Sequence, residues 1–152
     1  MRRAESAGDR WSGQVCLPGG MEESVDADLR ATAVRETHEE LGFDLTRCSR
    51  YLGPLDSLHA RADGGILATS ISPFVYVQTT SPVISPGPEA AHAFWLPLGR
   101  AFSGELDNSY RYEARGNKLL LPSWRYEQEV VWGLTYNMLQ SLLQLVRFGH
   151  VG

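Results

Sequence analysis

A chain of 152 residues is long enough for one domain with a sizeable core, and 43% hydrophobic with 21% charged residues is the make-up of an ordinary globular protein. A formal net charge of -4 and a pI near 5.5 argue against a general nucleic-acid binder, which carries a basic face. Cys16 and Cys48 form no CxxC pair, no apolar run is long enough to span a membrane, and "MRRAESAGDR" lacks the apolar core of a signal peptide, so the expected setting is the reducing cytoplasm.

In chain order, "QVCLP" (14–18) reads as a short strand that enters a turn at Gly19-Gly20. From 26 to 41 the apolar spacing becomes helical, with Asp26 as the expected N-cap and Gly42 as the C-cap. "YLGPLDSL" and "ILATSISPFVYVQT" are expected strands joined in a hairpin across "HARADGG". "SPVISPGPE" (81–89), with three prolines and a glycine, is a loop, and "AHAFWLPL" a short strand ending at Pro97. "YRYEA" and "KLLLPSWRY" form a second hairpin around Arg115-Gly116-Asn117. The stretch 127–148 reads as one amphipathic helix, with Val131, Leu134, Met138, Leu142 and Leu145 on a stripe. Strands with two flanking helices predict an α/β or α+β domain spanning 1–152, in which a sheet lies between helices.

The densest charge lies in "RETHEELGF" (35–43). At about 100° per residue, Glu36, Glu39 and Glu40 share one helical face, with Asp28 at its border. Ala27, Ala31, Val34, Thr37 and Leu41 lie opposite, small and apolar enough to press on a sheet. Like charges at this spacing repel, and a hard divalent cation such as Mg²⁺ or Mn²⁺ would cancel that repulsion. Arg35, four residues before Glu39, is placed to brace it. A Glu-rich helix is more often a merely solvated face. The i, i+3, i+4 glutamates, opened by arginine and closed by glycine after a strand and a Gly-Gly turn, favour a metal.

These residues resemble the Nudix box, G-x5-E-x7-R-E-U-x-E-E-x-G-U with U aliphatic. Gly20, Arg35, Glu36, Glu39, Glu40, Gly42 and Phe43 match it position by position. Thr37 stands at an aliphatic position, the loop from Gly20 to Arg35 is one residue longer, and Asp26 or Asp28 replaces the first glutamate. The longer loop, "GQVCLPGG" and "VWGLT" resemble the coenzyme A diphosphatase-like branch, although Leu17 stands for its phenylalanine and only Arg10 and Gly13 remain of its upstream signature. The resemblance implies a Nudix-like mixed sheet between helices and hydrolysis of a nucleoside diphosphate linked to a second moiety. Coenzyme A-type compounds are the first substrates it suggests. Glu39 and Glu40 are then the first metal ligands, Glu36 the third, and the Gly20 carbonyl a further one, with the Gly19-Gly20 turn letting the chain approach closely.

The general base is a box glutamate or a carboxylate outside it. Glu89, where the proline loop meets a strand, is the outside candidate against its reading as a solvated loop glutamate. His92 is more often structural than catalytic, and His38 points away from the acidic face. Arg10, Arg30 and Arg125 are candidates to grip phosphates. Tyr126, with Trp95, Tyr112 and Trp124, is a candidate to stack on a base, although hairpin aromatics are more often core, as Trp132 is expected to be. The rival from another class is a catalytically silent ligand sensor or interaction module, which would not need all three glutamates and the arginine. Removal of RNA caps lacks a basic channel to support it, so neither nucleic acid nor a membrane is an expected partner. No apolar strand precedes "QVCLP", and the last helix is rich in leucine. A sheet edge left open in this way predicts a homo-oligomer, most simply a two-fold dimer.

Overall fold

The computed structural model describes residues 1–149 apart from Arg10, Asp63, Gly64 and Arg115; for 60–62, 65–68 and Ala114 it describes the backbone alone. The chain divides into two compact units, Met1–Pro54 with Phe74–Phe94 and Leu55–Pro73 with Trp95–Gly152. The class is α+β, and every strand pairing among the described residues is antiparallel.

The first unit contains β1 (Arg2–Arg3), α1 (Leu29–Leu41), α2 (Leu45–Cys48), β2 (Ser49–Pro54), β5 (Phe74–Gln78) and β6 (Ala90–His92). The expectation that no strand precedes "QVCLP" is corrected here. Arg2–Arg3 pairs with Ala90–His92, and Arg2 bridges Val15 on its other side. Met1 and Cys16 exchange two backbone bonds of 2.8 Å, and the Arg3 nitrogen donates to Gln14 at 2.9 Å. Backbone pairing on both sides sustains a strand of two arginines, because strand formation asks for satisfied N–H and C=O groups more than for apolar side chains. Met1, Leu41 and Ala90 are buried together, with Cys16, Phe43, Ile84 and Ala93 packed against them.

Helix α1 starts two residues later than its predicted cap. Asp28 is the N-cap, its Oδ1 accepting from the Ala31 nitrogen at 2.7 Å, while Asp26 is taken by Arg35. The predicted C-cap holds: Gly42 adopts φ 73° and donates to the His38 carbonyl. Prolines divide the predicted long strands. Pro54 ends β2, and Pro73 separates β5 from β4 (Gly65–Ile71), which pairs with β3 (Leu58–Ala62) in the second unit. Residues 63–64, within the predicted turn, lie outside the described residues.

The second unit adds α3 (Leu98–Phe102) and the meander β7 (Asp107–Ala114), β8 (Asn117–Tyr126), β9 (Glu129–Trp132), followed by α4 (Gly133–Phe148). Residues 129–132 are therefore a strand and not the start of the last helix. Glu127 at φ 54° turns the chain after β8, Val130 and Val131 pair with Arg125 and Trp124, and Gly133 at φ 60° breaks the strand from the helix. Trp124 is fully buried, its ring 4.8 Å from that of Tyr136 on α4. Trp132 packs from the strand, stacked on Tyr110 at 4.1 Å. Among the described residues no helix is long and apolar enough to cross a membrane.

Candidate functional site

Arg35 organises the acidic face of α1. Its Nε and Nη2 grip the two carboxylate oxygens of Asp26, each at 3.0 Å, and Nη2 also donates to the Met21 carbonyl at 3.1 Å. Its Nη1 reaches Glu36 and Glu39, both at 3.0 Å. A planar fork with five donors suits this divided task, which an ammonium cannot perform. Asp26 accepts further bonds from the Glu23 nitrogen at 2.9 Å and the Thr32 hydroxyl at 3.0 Å. Those bonds, Arg35 first, hold its carboxyl down at about 2. The same Asp26 contact, with Glu36 behind it, raises the Arg35 pKa above its ordinary value.

Glu40 is in a different state. It is 4% exposed, and its Oε2 accepts from the Gly19 nitrogen at 2.9 Å. Burial is the main cause that pushes its carboxyl up to about 7, the Gly19 bond opposes it, and the charges of Glu36 and Glu89 add to it. Gly20 presses on the neighbouring carboxylate so closely that a Cβ there would fall on Glu36. The proline loop docks on the last turn of the helix: the Ser85 nitrogen donates to the Leu41 carbonyl and that of Gly87 to the Glu40 carbonyl, both at 2.9 Å. A Cβ on Gly87 would strike the Glu39 carbonyl. This docking satisfies helix-end carbonyls and brings Glu89, exposed at the end of the loop, within electrostatic range of Glu40.

The donor chemistry fits a hard divalent cation: carboxylates of one helix turn beside a glycine turn, with a buried carboxyl whose ionisation neighbouring negative charges oppose. The arrangement is not drawn around one point, since among the described residues no three His, Cys, Asp or Glu side chains converge as a metal cluster. Glu36 and Glu39 are turned to Arg35 instead, and the Glu39 side chain is 55% exposed. An ion would have to compete with that guanidinium for them.

Of the sequence candidates, Arg35, Glu36, Glu39, Glu40, Gly19, Gly20 and Glu89 lie in the first unit around this face. Arg30 is on the same helix but away from the carboxylates, its guanidinium 5.0 Å over the Tyr51 ring. Tyr126 belongs to the second unit, with Arg100 over its ring at 5.6 Å. Arg10 lies outside the described residues. His92 stacks on Phe94 at 5.7 Å and His38 is exposed. Sequence reasoning missed Asp26 as the partner of Arg35; an aspartate standing where the box has its glutamate was the available signal. Nothing in the sequence marked Gly87 or Ser85 as partners of the helix end.

Residues 1–115 match the NUDIX domain family. The chain is 33% identical over 140 residues to an uncharacterized Nudix hydrolase NudL of Photorhabdus laumondii, covering 90% of this chain and 70% of that protein. It is 31% identical over 137 residues to uncharacterized Nudix hydrolases NudL of Yersinia pestis strain Pestoides F and of Yersinia pseudotuberculosis serotype O:1b, covering 89% of this chain and 65% of each of those. The chain thus spans about two thirds of the length of these relatives.

Proposed function

The chain belongs to the Nudix hydrolase family, and from that premise we propose that it is a Mg²⁺- or Mn²⁺-dependent hydrolase that splits the diphosphate linkage of nucleoside diphosphate derivatives. The observation that carries this reading is buried Glu40, held by the Gly19 N–H beside the Arg35-braced pair Glu36 and Glu39. Glu36, Glu39 and Glu40, with the Gly20 carbonyl, would hold the cation. When bound, it supplies charge neutralisation for the diphosphate and a water of lowered pKa.

The remaining roles fall to the chain itself. Arg35 fixes the positions of Glu36 and Glu39, and the docked loop delivers Glu89 as the base that accepts the proton of the attacking water. Attack at one phosphorus breaks its bond to the bridging oxygen, leaving a nucleoside monophosphate and the phosphorylated second product. Positioning and charge neutralisation dominate such transfers, in keeping with a site rigidly cross-braced on one helix. Coenzyme A-type diphosphates are the first substrates of this reading, supported by the longer, aspartate-bearing box. We further place the chain as one domain acting in the cytoplasm, in keeping with Cys16 and Cys48 both being free thiols, and as a two-fold dimer.

The test is turnover on a panel of coenzyme A-type compounds, dinucleotides and nucleotide sugars, with Mg²⁺ or Mn²⁺ and with chelator, and with products identified by ³¹P NMR. The expected result is metal-dependent formation of a nucleotide and a phosphorylated partner. Release of orthophosphate, or cleavage of simple phosphomonoesters, would overturn the assignment.

A further inference from the structure

Glu89 is exposed, yet the backbone on both sides of it is fixed. It occupies the turn Gly87-Pro88-Glu89-Ala90, closed by the Ala90 nitrogen donating to the Gly87 carbonyl at 3.1 Å. Pro88, at the second position, presets the backbone angle that such a turn needs. Ahead of Glu89, the Gly87 nitrogen donates to the Glu40 carbonyl at 2.9 Å, with no room for a side chain against the Glu39 carbonyl. Beyond it, Ala90 is buried and pairs with Arg3 of β1. The Glu89 carbonyl itself accepts from the Ala4 nitrogen at 2.8 Å.

Strand β1 also meets the chain that holds Glu40. Arg2 bridges Val15, the Arg3 nitrogen donates to the Gln14 carbonyl, and the Cys16 nitrogen donates to the Met1 carbonyl. Residues 14–16 lead into Gly19, whose nitrogen donates to the Glu40 carboxylate at 2.9 Å. One short strand is thus hydrogen-bonded on one edge to the segment that grips Glu40 and on the other to the turn that carries Glu89. Paired strands keep a spacing of about 4.8 Å, so β1 sets the distance between those two segments. A glutamate that merely solvates a loop needs neither the helix-end contact nor the strand contact.

We propose that Ala4, through its backbone N–H, and Gly87 are positioning residues that fix Glu89 relative to Glu40 for hydrolysis. This role rests on the hydrolase reading above, in which the water oxygen bonds to phosphorus, the bridging P–O bond breaks and the Glu89 carboxylate takes the proton. Both residues act through Glu89, and a displacement near 1 Å at a reacting centre costs about 10²-fold.

Steady-state kinetics with Mg²⁺, on whichever compound of the panel turns over fastest, test this role. Gly87→Ala sets a methyl group against helix backbone. Ala4→Pro removes the donor, and proline is compatible with the extended Arg3 before it. Each should lower kcat by about tenfold or more and leave KM within about twofold. Ala4→Ser, which keeps the N–H, should retain the wild-type kcat. In a Glu89→Gln background neither Gly87→Ala nor Ala4→Pro should cost anything further, because their effect runs through Glu89. Further losses in that background, or single variants with unchanged kcat, overturn the proposal while the hydrolase reading stands; a wild type without turnover overturns both. Amide hydrogen exchange reads the clamp without substrate, and it decides for Ala4 where thermal unfolding shows that Ala4→Pro does not fold. The Ala4 and Gly87 amides should exchange slowly in the wild type, and free exchange at either overturns the proposal.

Discussion

Glu40→Gln separates the two consequences of burying a carboxyl beside other carboxyls. The Glu40 carboxyl titrates at about 7 in the folded chain against an ordinary 4.5. The folded protein therefore binds a proton that the unfolded one has released, and between those pH values its stability falls as pH rises. At 1.36 kcal/mol per pH unit the full difference is about 3 kcal/mol, and solvent screening through the exposed Gly19-Gly20 turn brings the expectation to about 1.5 kcal/mol. Glutamine keeps an acceptor for the Gly19 N–H and removes the titration. In chelator at pH 8, urea unfolding followed by tryptophan fluorescence should show the variant more stable by about 1.5 kcal/mol, with its stability flat between pH 4.5 and 7 where the wild type declines. Asp26, held at about 2, acts in a separate window, its contribution lost only as pH falls below 3.8. Turnover with Mg²⁺ should fall by about 10²-fold or more. A variant no more stable at pH 8, with the same pH profile as wild type, would refute the buried ionised carboxyl, and full activity would refute its place in the site.

Gly20→Ala puts a methyl group on the Glu36 carboxylate; the expected result is an unchanged circular-dichroism spectrum with kcat reduced about 10²-fold, as for any displacement near 1 Å at a reacting centre. Arg35→Lys retains the charge but not the fork to Asp26, Glu36 and Glu39; turnover should drop at least tenfold, and unchanged kinetics would show that the bracing is dispensable. The end of α4 exposes Leu145, Val146 and Phe148 by 59%, 57% and 67%, an apolar patch suited to a two-fold contact. Light scattering at micromolar concentration should therefore give twice the chain mass of 16.9 kDa, and a monomeric mass with full activity would refute the dimer.

Helix α1 and its glycine cap were legible because periodicity and capping are local, carried by residues within a few positions of each other. Residues 129–132 were misread for the same reason. Val131, Leu134 and Met138 keep a helical spacing, and only the positive φ of Glu127 and Gly133, together with the pairing partner β8, settles a strand. The site divides along the same line. That Glu36, Glu39 and Glu40 share an arc follows from 3.6 residues per turn. That Glu39 stays largely exposed on Arg35 while Glu40 is buried under Gly19 depends on chain segments about twenty residues upstream and forty-five downstream.

The glycines show how far such non-local contact escapes a reading by residue type. Gly20 and Gly87 look like ordinary turn residues, yet both lie against the acidic helix turn: Gly87 is held to glycine by the Glu39 carbonyl, and Gly20 leaves the room in which the Glu36 carboxylate sits. Two loops distant in sequence thus close on the same turn of α1: a side chain at 87 would press on helix backbone, whereas one at 20 would turn aside the end of the Glu36 side chain. The acidic row is consequently held by the absence of atoms at 20 and 87 as much as by the arginine at 35, and its positioning is a property of the three segments together.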